Sequence, residues 1–88
     1  MAAELLPDPT PFIVEAYRRA LRRFFEHAGG GRLTVAAAAT LLGAYDLTSL
    51  RDAFERLVAE HYLLRVVYAE GVLYVRPGGR RRLVRYIL

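Results

Sequence analysis

Five amino-acid types are missing from this 88-residue chain: cysteine, lysine, asparagine, glutamine and tryptophan. Because there is no cysteine, a disulfide framework and a thiolate metal site are both excluded. The 13 basic residues are all arginine. Asparagine, glutamine and cysteine are thermolabile, and their absence favours a thermophilic source.

The chain also lacks a long hydrophobic run. No apolar stretch approaches the roughly 20 residues that a helix needs to span a bilayer. Residues 1–6 include an acid and no basic segment, so we expect no signal peptide. We therefore expect a cytoplasmic protein without a membrane partner.

Groups that could perform catalysis are scarce. The two histidines, His27 and His61, are far apart in sequence and would need further ligands to form a zinc site. Ser49 is the only serine, and a role as a helix cap explains it better than a role as a nucleophile. Gly29-Gly30-Gly31 lacks the lysine of a phosphate-binding loop. We expect no enzyme activity, no metal or other cofactor, and no small-molecule ligand.

The length and the hydrophobic content of the chain are those of one small domain. With 55% hydrophobic residues, 88 residues can close one core but not two. Residues 1–9 are interrupted by proline and are predicted to form an extended arm, which leaves residues 10–88 as a single domain. Domains of this size often gain stability from a partner, so we expect a homodimer.

Hydrophobic spacing predicts three helices in the first two thirds of the chain. The first begins at Thr10-Pro11, carries apolar residues on one face and ends at Gly29. The second begins with Thr34 as its cap and ends at Gly43. The third begins at the cap Thr48-Ser49 and extends to residue 61. Its buried stripe is predicted to be Leu50, Ala53, Phe54, Leu57 and Val58.

The spacing then changes to that of strands. Residues 63–68 and 72–75 are rich in β-branched and aromatic side chains, and residues 69–71 are predicted to join them as a tight hairpin. Residues 79–88 follow a Pro-Gly-Gly break. Their apolar positions favour a C-terminal helix, although a third strand is an alternative.

The stretches 33–43, 49–58 and 71–81 resemble a winged helix-turn-helix domain, in particular MarR- and PadR-type transcription regulators. The resemblance covers roughly residues 33–83, and a glycine often occupies the position of His61 in that family. Arg76 stands where a threonine commonly precedes the proline. The resemblance implies an α+β, mainly α fold in which a three-helix bundle is followed by a β-hairpin wing. The helix-turn-helix would span residues 34–61 and the wing residues 63–76.

In such a fold the third helix enters the major groove of duplex DNA, with its N-terminal residues at the base edges. Arg51 would contact a guanine, Asp52 or Glu55 a cytosine, and Thr48 or Ser49 a phosphate. Asparagine and glutamine, the usual partners of adenine, are absent, so modest sequence specificity is expected. The predicted DNA-binding residues are Thr34, Thr48, Ser49, Arg51, Asp52, Glu55, Arg65, Arg76, Arg80 and Arg81.

The charge distribution favours contact with DNA near the wing. Residues 1–62 carry a net charge of −1, whereas residues 63–88 carry +5 and have Glu70 as their only acid. The third helix is instead balanced, because Arg51–Glu55, Asp52–Arg56 and Arg56–Glu60 are spaced to form ion pairs. A solvated, ion-paired surface is the alternative for that helix.

The sequence therefore predicts a small DNA-binding transcription regulator that acts as a homodimer. The dimer contacts are predicted at Phe12, Leu83, Ile87 and Leu88. The alternative is a protein-interaction module of a transcription, replication or ribosomal assembly, which the balanced charge of the third helix would favour.

Overall fold

The structure is a computed structural model that describes residues 8–78. The predicted C-terminal helix 79–88 and most of the predicted arm 1–9 lie outside the described residues. The fold is α+β and mainly helical, with three helices and a three-stranded antiparallel sheet in the described part. The elements, in chain order, are α1 (Thr10–Ala28), β1 (Gly31–Leu33), α2 (Val35–Leu42), α3 (Leu47–Ala59), β2 (Leu64–Tyr68) and β3 (Gly71–Arg76).

The ends of α1 and α2 follow local capping signals. The predicted ends at Gly29 and Gly43 are confirmed, and both glycines have left-handed backbone angles. The predicted cap Thr34 is also confirmed, because its hydroxyl accepts a hydrogen bond from the Ala37 amide at 3.1 Å. At the start of α1 the cap is Pro9 and not Thr10, whose amide donates to the Asp8 carboxylate at 3.0 Å.

The start of α3 differs from the prediction. Asp46 is the cap, and its carboxylate accepts hydrogen bonds from the Ser49 amide at 3.1 Å and the Ser49 hydroxyl at 2.8 Å. These bonds hold the pKa of the Asp46 carboxyl below its usual value. The prediction that Thr48-Ser49 forms the cap is wrong, because Asp46 already binds the free amide of the first turn. Ser49 was also predicted as a possible phosphate contact, but only 1% of it is accessible.

The sheet has the order β1-β3-β2, with β3 in the centre. The predicted hairpin is confirmed: β2 pairs with β3 from Leu64 opposite Val75 to Tyr68 opposite Gly71. Strand β1 was not predicted. It pairs Gly31 with Arg76 and Leu33 with Tyr74, which links the start of α2 to the hairpin.

The core lies between α1, α3 and the inner face of the sheet. Phe54 of α3 stacks on Tyr74 of β3, with 4.3 Å between ring centroids. The predicted stripe of α3 is confirmed, although Val58 is only half-buried. In α1 the buried residues are Val14, Leu21 and Phe25. Tyr17 and Phe24, on the same side of α1, pack against this core and are half-buried.

Gly30 permits a close approach at the end of the sheet. A Cβ atom at this position would lie 2.7 Å from the Cα of Gly78, and the φ angle of Gly30 is +112°. Only glycine fits such a contact without strain. The chain that leaves β3 is therefore held directly against the turn between α1 and β1.

Candidate nucleic-acid interface

Helix α3 is packed on one side and open on the other. Leu50, Phe54 and Leu57 are fully buried against α1 and the sheet. The opposite side, which we call the outer face of α3, is exposed to solvent. It carries Thr48, Arg51, Asp52, Arg56 and Ala59.

The two arginines of the outer face have no acidic partner among residues 8–78. The ion pairs expected along the helix, Arg51–Glu55, Asp52–Arg56 and Arg56–Glu60, are not among those formed in this part of the chain. The three ion pairs predicted from spacing within α3 are therefore wrong, although this face is exposed to solvent as the alternative expected. Two of the three acids, Glu55 and Glu60, are paired with residues of other elements.

Glu55 is held by the hairpin. Its carboxylate accepts hydrogen bonds from the Arg65 guanidinium of β2 and from the Tyr74 hydroxyl of β3, the latter at 2.6 Å. Burial and the bond to Glu55 raise the pKa of Tyr74 to about 12. The charge of Glu55 is thus balanced by Arg65, and both side chains are committed to joining α3 to the sheet.

Glu60 is held by α1 in a similar way. Its carboxylate accepts a hydrogen bond from Arg18 at 3.3 Å, and Arg18 also donates to Glu15 at 2.7 Å. Two of the three acids between residues 51 and 60 are therefore neutralised from outside α3. Asp52 is the acid that stays without an ion pair in the described part, beside Arg51 and Arg56.

Arg76 is held within the fold by contacts with Tyr62. It is half-buried, donates to the Tyr62 carbonyl at 2.9 Å, and places its guanidinium 4.0 Å from the centre of the Tyr62 ring. The Arg22 guanidinium lies 4.7 Å from the same ring centre. These cation–π contacts and the hydrogen bond tie the end of β3 to the junction after α3.

The structure brings three of the predicted DNA-binding residues together: Thr48, Arg51 and Asp52 share the N-terminal half of the outer face of α3. Ser49 is buried and bonded to Asp46, so its hydroxyl is not available for a phosphate. The hydroxyl of Thr34 caps α2.

The remaining predicted positions are separated from this group. Glu55 is bonded to Arg65, and Arg76 is held by Tyr62. Arg80 and Arg81 lie outside the described residues, as do the predicted dimer contacts Leu83, Ile87 and Leu88. Phe12, the remaining predicted dimer contact, is 69% exposed.

Arg56 is a site residue that the sequence-based prediction missed. The expected pairing with Asp52 and Glu60 hid it, and its position about 140° around the helix from Arg51 places it at the opposite margin of the outer face. Glu60, one of its expected partners, instead binds Arg18, a contact between residues 42 positions apart. A pattern within α3 alone could not have indicated that contact.

Two exposed apolar groups lie outside this face. The first group spans the end of α2, the α2–α3 turn and the start of α3: it consists of Leu41, Tyr45 and Leu47, of which Tyr45 is 92% exposed. Strand β2 carries the other group. Among residues 8–78, no cluster of three or more acidic or histidine side chains could hold a metal ion.

Comparisons with known proteins give no relative. No protein-family model, no curated protein and no solved structure matches the chain. No helix in the part of the chain that the structure describes is long and apolar enough to cross a membrane.

Proposed function

We propose that the chain is a winged-helix DNA-binding domain, a small transcription regulator that occupies duplex DNA as a homodimer. The order of three helices followed by an antiparallel hairpin supports this proposal. So does the backbone of His61, whose φ of 62° is the left-handed conformation that glycine favours. The junction before the wing is the place where the resembled family often has glycine.

The outer face of α3 is the observation that carries the proposal. Arg51 and Arg56 are exposed, and two of the three acids that could have neutralised them, Glu55 and Glu60, are bound by Arg65 and Arg18. An exposed helix with unpaired arginines is suited to the major groove, where phosphates and base edges are both within reach.

The chemistry of this face predicts limited sequence recognition. Arg51 would donate two hydrogen bonds to guanine, and Asp52 would accept one from the amino group of cytosine. Thr48 and Arg56 would bind phosphates. Because asparagine and glutamine are absent from the chain, the side chains that usually read adenine are missing. Phosphate contacts would then supply most of the affinity.

The wing contributes less to DNA binding in this proposal than the charge of residues 63–88 indicates. Arg65 is paired with Glu55, and Arg76 is packed on Tyr62. For either residue to contact a phosphate, it would first have to break a contact that stabilises the fold. The main binding surface is therefore the outer face of α3.

Substitution of one arginine on each of two helices tests the proposal. The measurement is a fluorescence titration of short duplexes at low salt. Arg51→Ala should weaken binding about tenfold on a GC-rich duplex and less on an AT-rich one. The reason is that a bidentate contact to guanine contributes about 1–3 kcal/mol. The control is Arg23→Ala, which removes an exposed arginine from α1 without an ion pair in the described part. If both variants lose affinity equally, α3 is not the binding element.

A protein-interaction module is the second candidate, and the apolar group at the α2–α3 turn favours it. Leu41, Tyr45 and Leu47 expose an apolar patch next to the outer face of α3. Absence of duplex binding at low salt, even at tens of micromolar protein, would favour this candidate over the first.

A further inference from the structure

Strand β2 is an edge strand whose side chains are all exposed. It pairs with β3 on one side and has no strand on its other side in the described sheet. Alternate residues of such a strand direct their amide and carbonyl groups away from the sheet. A free edge of this kind can accept another strand.

This edge has one of the features that usually protect edge strands, an inward-pointing charge at Arg65, but Glu55 neutralises that charge. Natural edges carry lysine, proline, bulges or inward-pointing charges. Strand β2 has the sequence Leu-Arg-Val-Val-Tyr, and its one charge, Arg65, is neutralised by Glu55. Half of the exposed large hydrophobic residues among residues 8–78 lie in this strand: Leu64, Val66, Val67 and Tyr68. The edge is thus apolar and electrically neutral.

We propose that β2 is a self-association surface, on which two copies of the chain pair their β2 strands antiparallel about a two-fold axis at Val66. The two three-stranded sheets would form one continuous sheet of six strands. In this register Val66 faces its own counterpart, Leu64 faces Tyr68, and Arg65 faces Val67. Apolar residues therefore meet apolar residues at the centre and at both ends, the two Arg65–Val67 pairs lie between them, and no like charges are opposed.

Self-complementarity is the reason for choosing a second copy as the partner. The strand is apolar at the centre and at both ends of this register. A second copy of the same strand therefore places an apolar residue opposite each of these positions. An acidic or basic partner strand would find no free charge to pair with, because Arg65 is occupied by Glu55.

The pairing also places the two α3 helices suitably for one DNA duplex, and in this respect it rests on the proposed function. Helix α3 packs on the inner face of the sheet, through Phe54 and Tyr74. Residues directly opposite each other in an antiparallel pair point to the same side of a sheet. Both α3 helices would therefore lie on one side of the six-stranded sheet, with their outer faces turned away from it.

The test measures the oligomeric state of the full chain without DNA, by sedimentation. The wild-type chain should form a dimer, and Val66→Lys should raise the dimer dissociation constant about tenfold or more, because it opposes two like charges at the axis. Leu41→Lys is the control, since it places the same charge on an exposed apolar residue of α2. A wild-type monomer at about 100 μM, or a Val66→Lys dimer as tight as that of the control, would overturn the proposal.

Cross-linking tests the register. The chain has no cysteine, so a single substitution introduces one thiol. Under mild oxidation Val66→Cys should form a disulfide dimer, because directly opposite Cβ atoms lie about 5 Å apart. Val67→Cys, whose parent residue is 72% exposed, should cross-link much more slowly because it faces Arg65. Equal rates for the two variants would exclude this register.

These measurements separate the dimer from DNA binding. If the chain dimerises through β2 and does not bind DNA, the pairing stands and the proposed function fails. If the chain binds DNA as a monomer, DNA binding stands and the β2 pairing fails.

Discussion

His61 has a strained backbone conformation at the junction between α3 and β2. It is the one non-glycine residue with a positive φ in the part of the chain that the structure describes, and its side chain is exposed. A left-handed conformation costs a non-glycine residue roughly 1–2 kcal/mol. Glycine avoids this cost but adds freedom to the unfolded chain, which offsets about 0.4–1 kcal/mol.

We therefore predict that His61→Gly increases the free energy of unfolding, by about 0.5 kcal/mol. Urea denaturation would measure the change. Ala59→Gly is the control, since glycine in the last turn of α3 should instead lower the stability, by up to about 1 kcal/mol. A loss of stability in His61→Gly would show that the imidazole makes a contribution larger than the strain.

Tyr74 is held in its neutral form by burial and by the Glu55 carboxylate, which raise its pKa to about 12. Tyrosine in an unfolded chain ionises near pH 10. The folded pKa is the higher of the two, so this contribution to stability is complete below pH 10 and is lost as the pH rises towards 12. Stability should therefore fall over that interval.

Tyrosinate absorbance would check this prediction. In the folded protein Tyr74→Phe should remove part of the transition near pH 12, while burial also keeps the pKa of Tyr62 raised in both proteins. In denaturant, the difference between the variant and the wild type should move to about pH 10. An unchanged late transition in the folded variant would contradict the position assigned to Tyr74.

Local signals explain which elements could be predicted from the sequence. The ends at Gly29 and Gly43, the cap Thr34 and the hairpin each depend on residues a few positions apart. Strand β1 could not be predicted in this way. It has only three residues, begins with glycine, and exists because β3 offers it a partner more than 40 positions away.

The outer face of α3 could be predicted only in part for the same reason. Exposure of Arg51 and Asp52 follows from the helical period, and both were predicted. The partners of Glu55 and Glu60 lie on β2, β3 and α1. Because these contacts depend on the packing of distant segments, spacing within the helix gave the wrong pairs.

Glu55 links α3 to the hairpin while it limits the positive charge near the outer face. We predict that Glu55→Gln has opposite effects on stability and on DNA binding. Loss of the charged hydrogen bonds to Arg65 and Tyr74 should lower the free energy of unfolding by about 1 kcal/mol. Release of Arg65 should increase duplex affinity a few-fold at low salt and steepen its dependence on salt.

The control for this prediction is Glu70→Gln in the hairpin turn. It removes the same charge from an exposed residue that forms no ion pair within residues 8–78. Urea denaturation and duplex titration of both variants would give the comparison. Equal effects of the two substitutions on both measurements would mean that Glu55 acts only through net charge.

At the scale of the whole molecule, the net charge of a segment does not show where positive charge is free at the surface. The chain carries +4 overall, and the whole positive excess lies after residue 62. In the described part of that region, however, Arg65 and Arg76 are held within the fold, and the exposed surface of β2 is apolar. We therefore propose two separate binding surfaces: α3 binds DNA, and β2 binds a second copy of the chain.

The salt dependence of duplex binding tests the role of α3 most directly. Affinity would be measured between about 50 and 200 mM salt for the wild type, for Arg51→Ala/Arg56→Ala and for the control Arg19→Ala/Arg23→Ala, which removes two charges from α1. The plot of log affinity against log salt should be steep for the wild type and the control, and shallower by about 1 for the α3 variant, because Arg56 is the arginine of this pair that is assigned to a phosphate. Identical slopes for the two double variants, or no salt-dependent binding by the wild type, would contradict the proposal that the outer face of α3 contacts DNA.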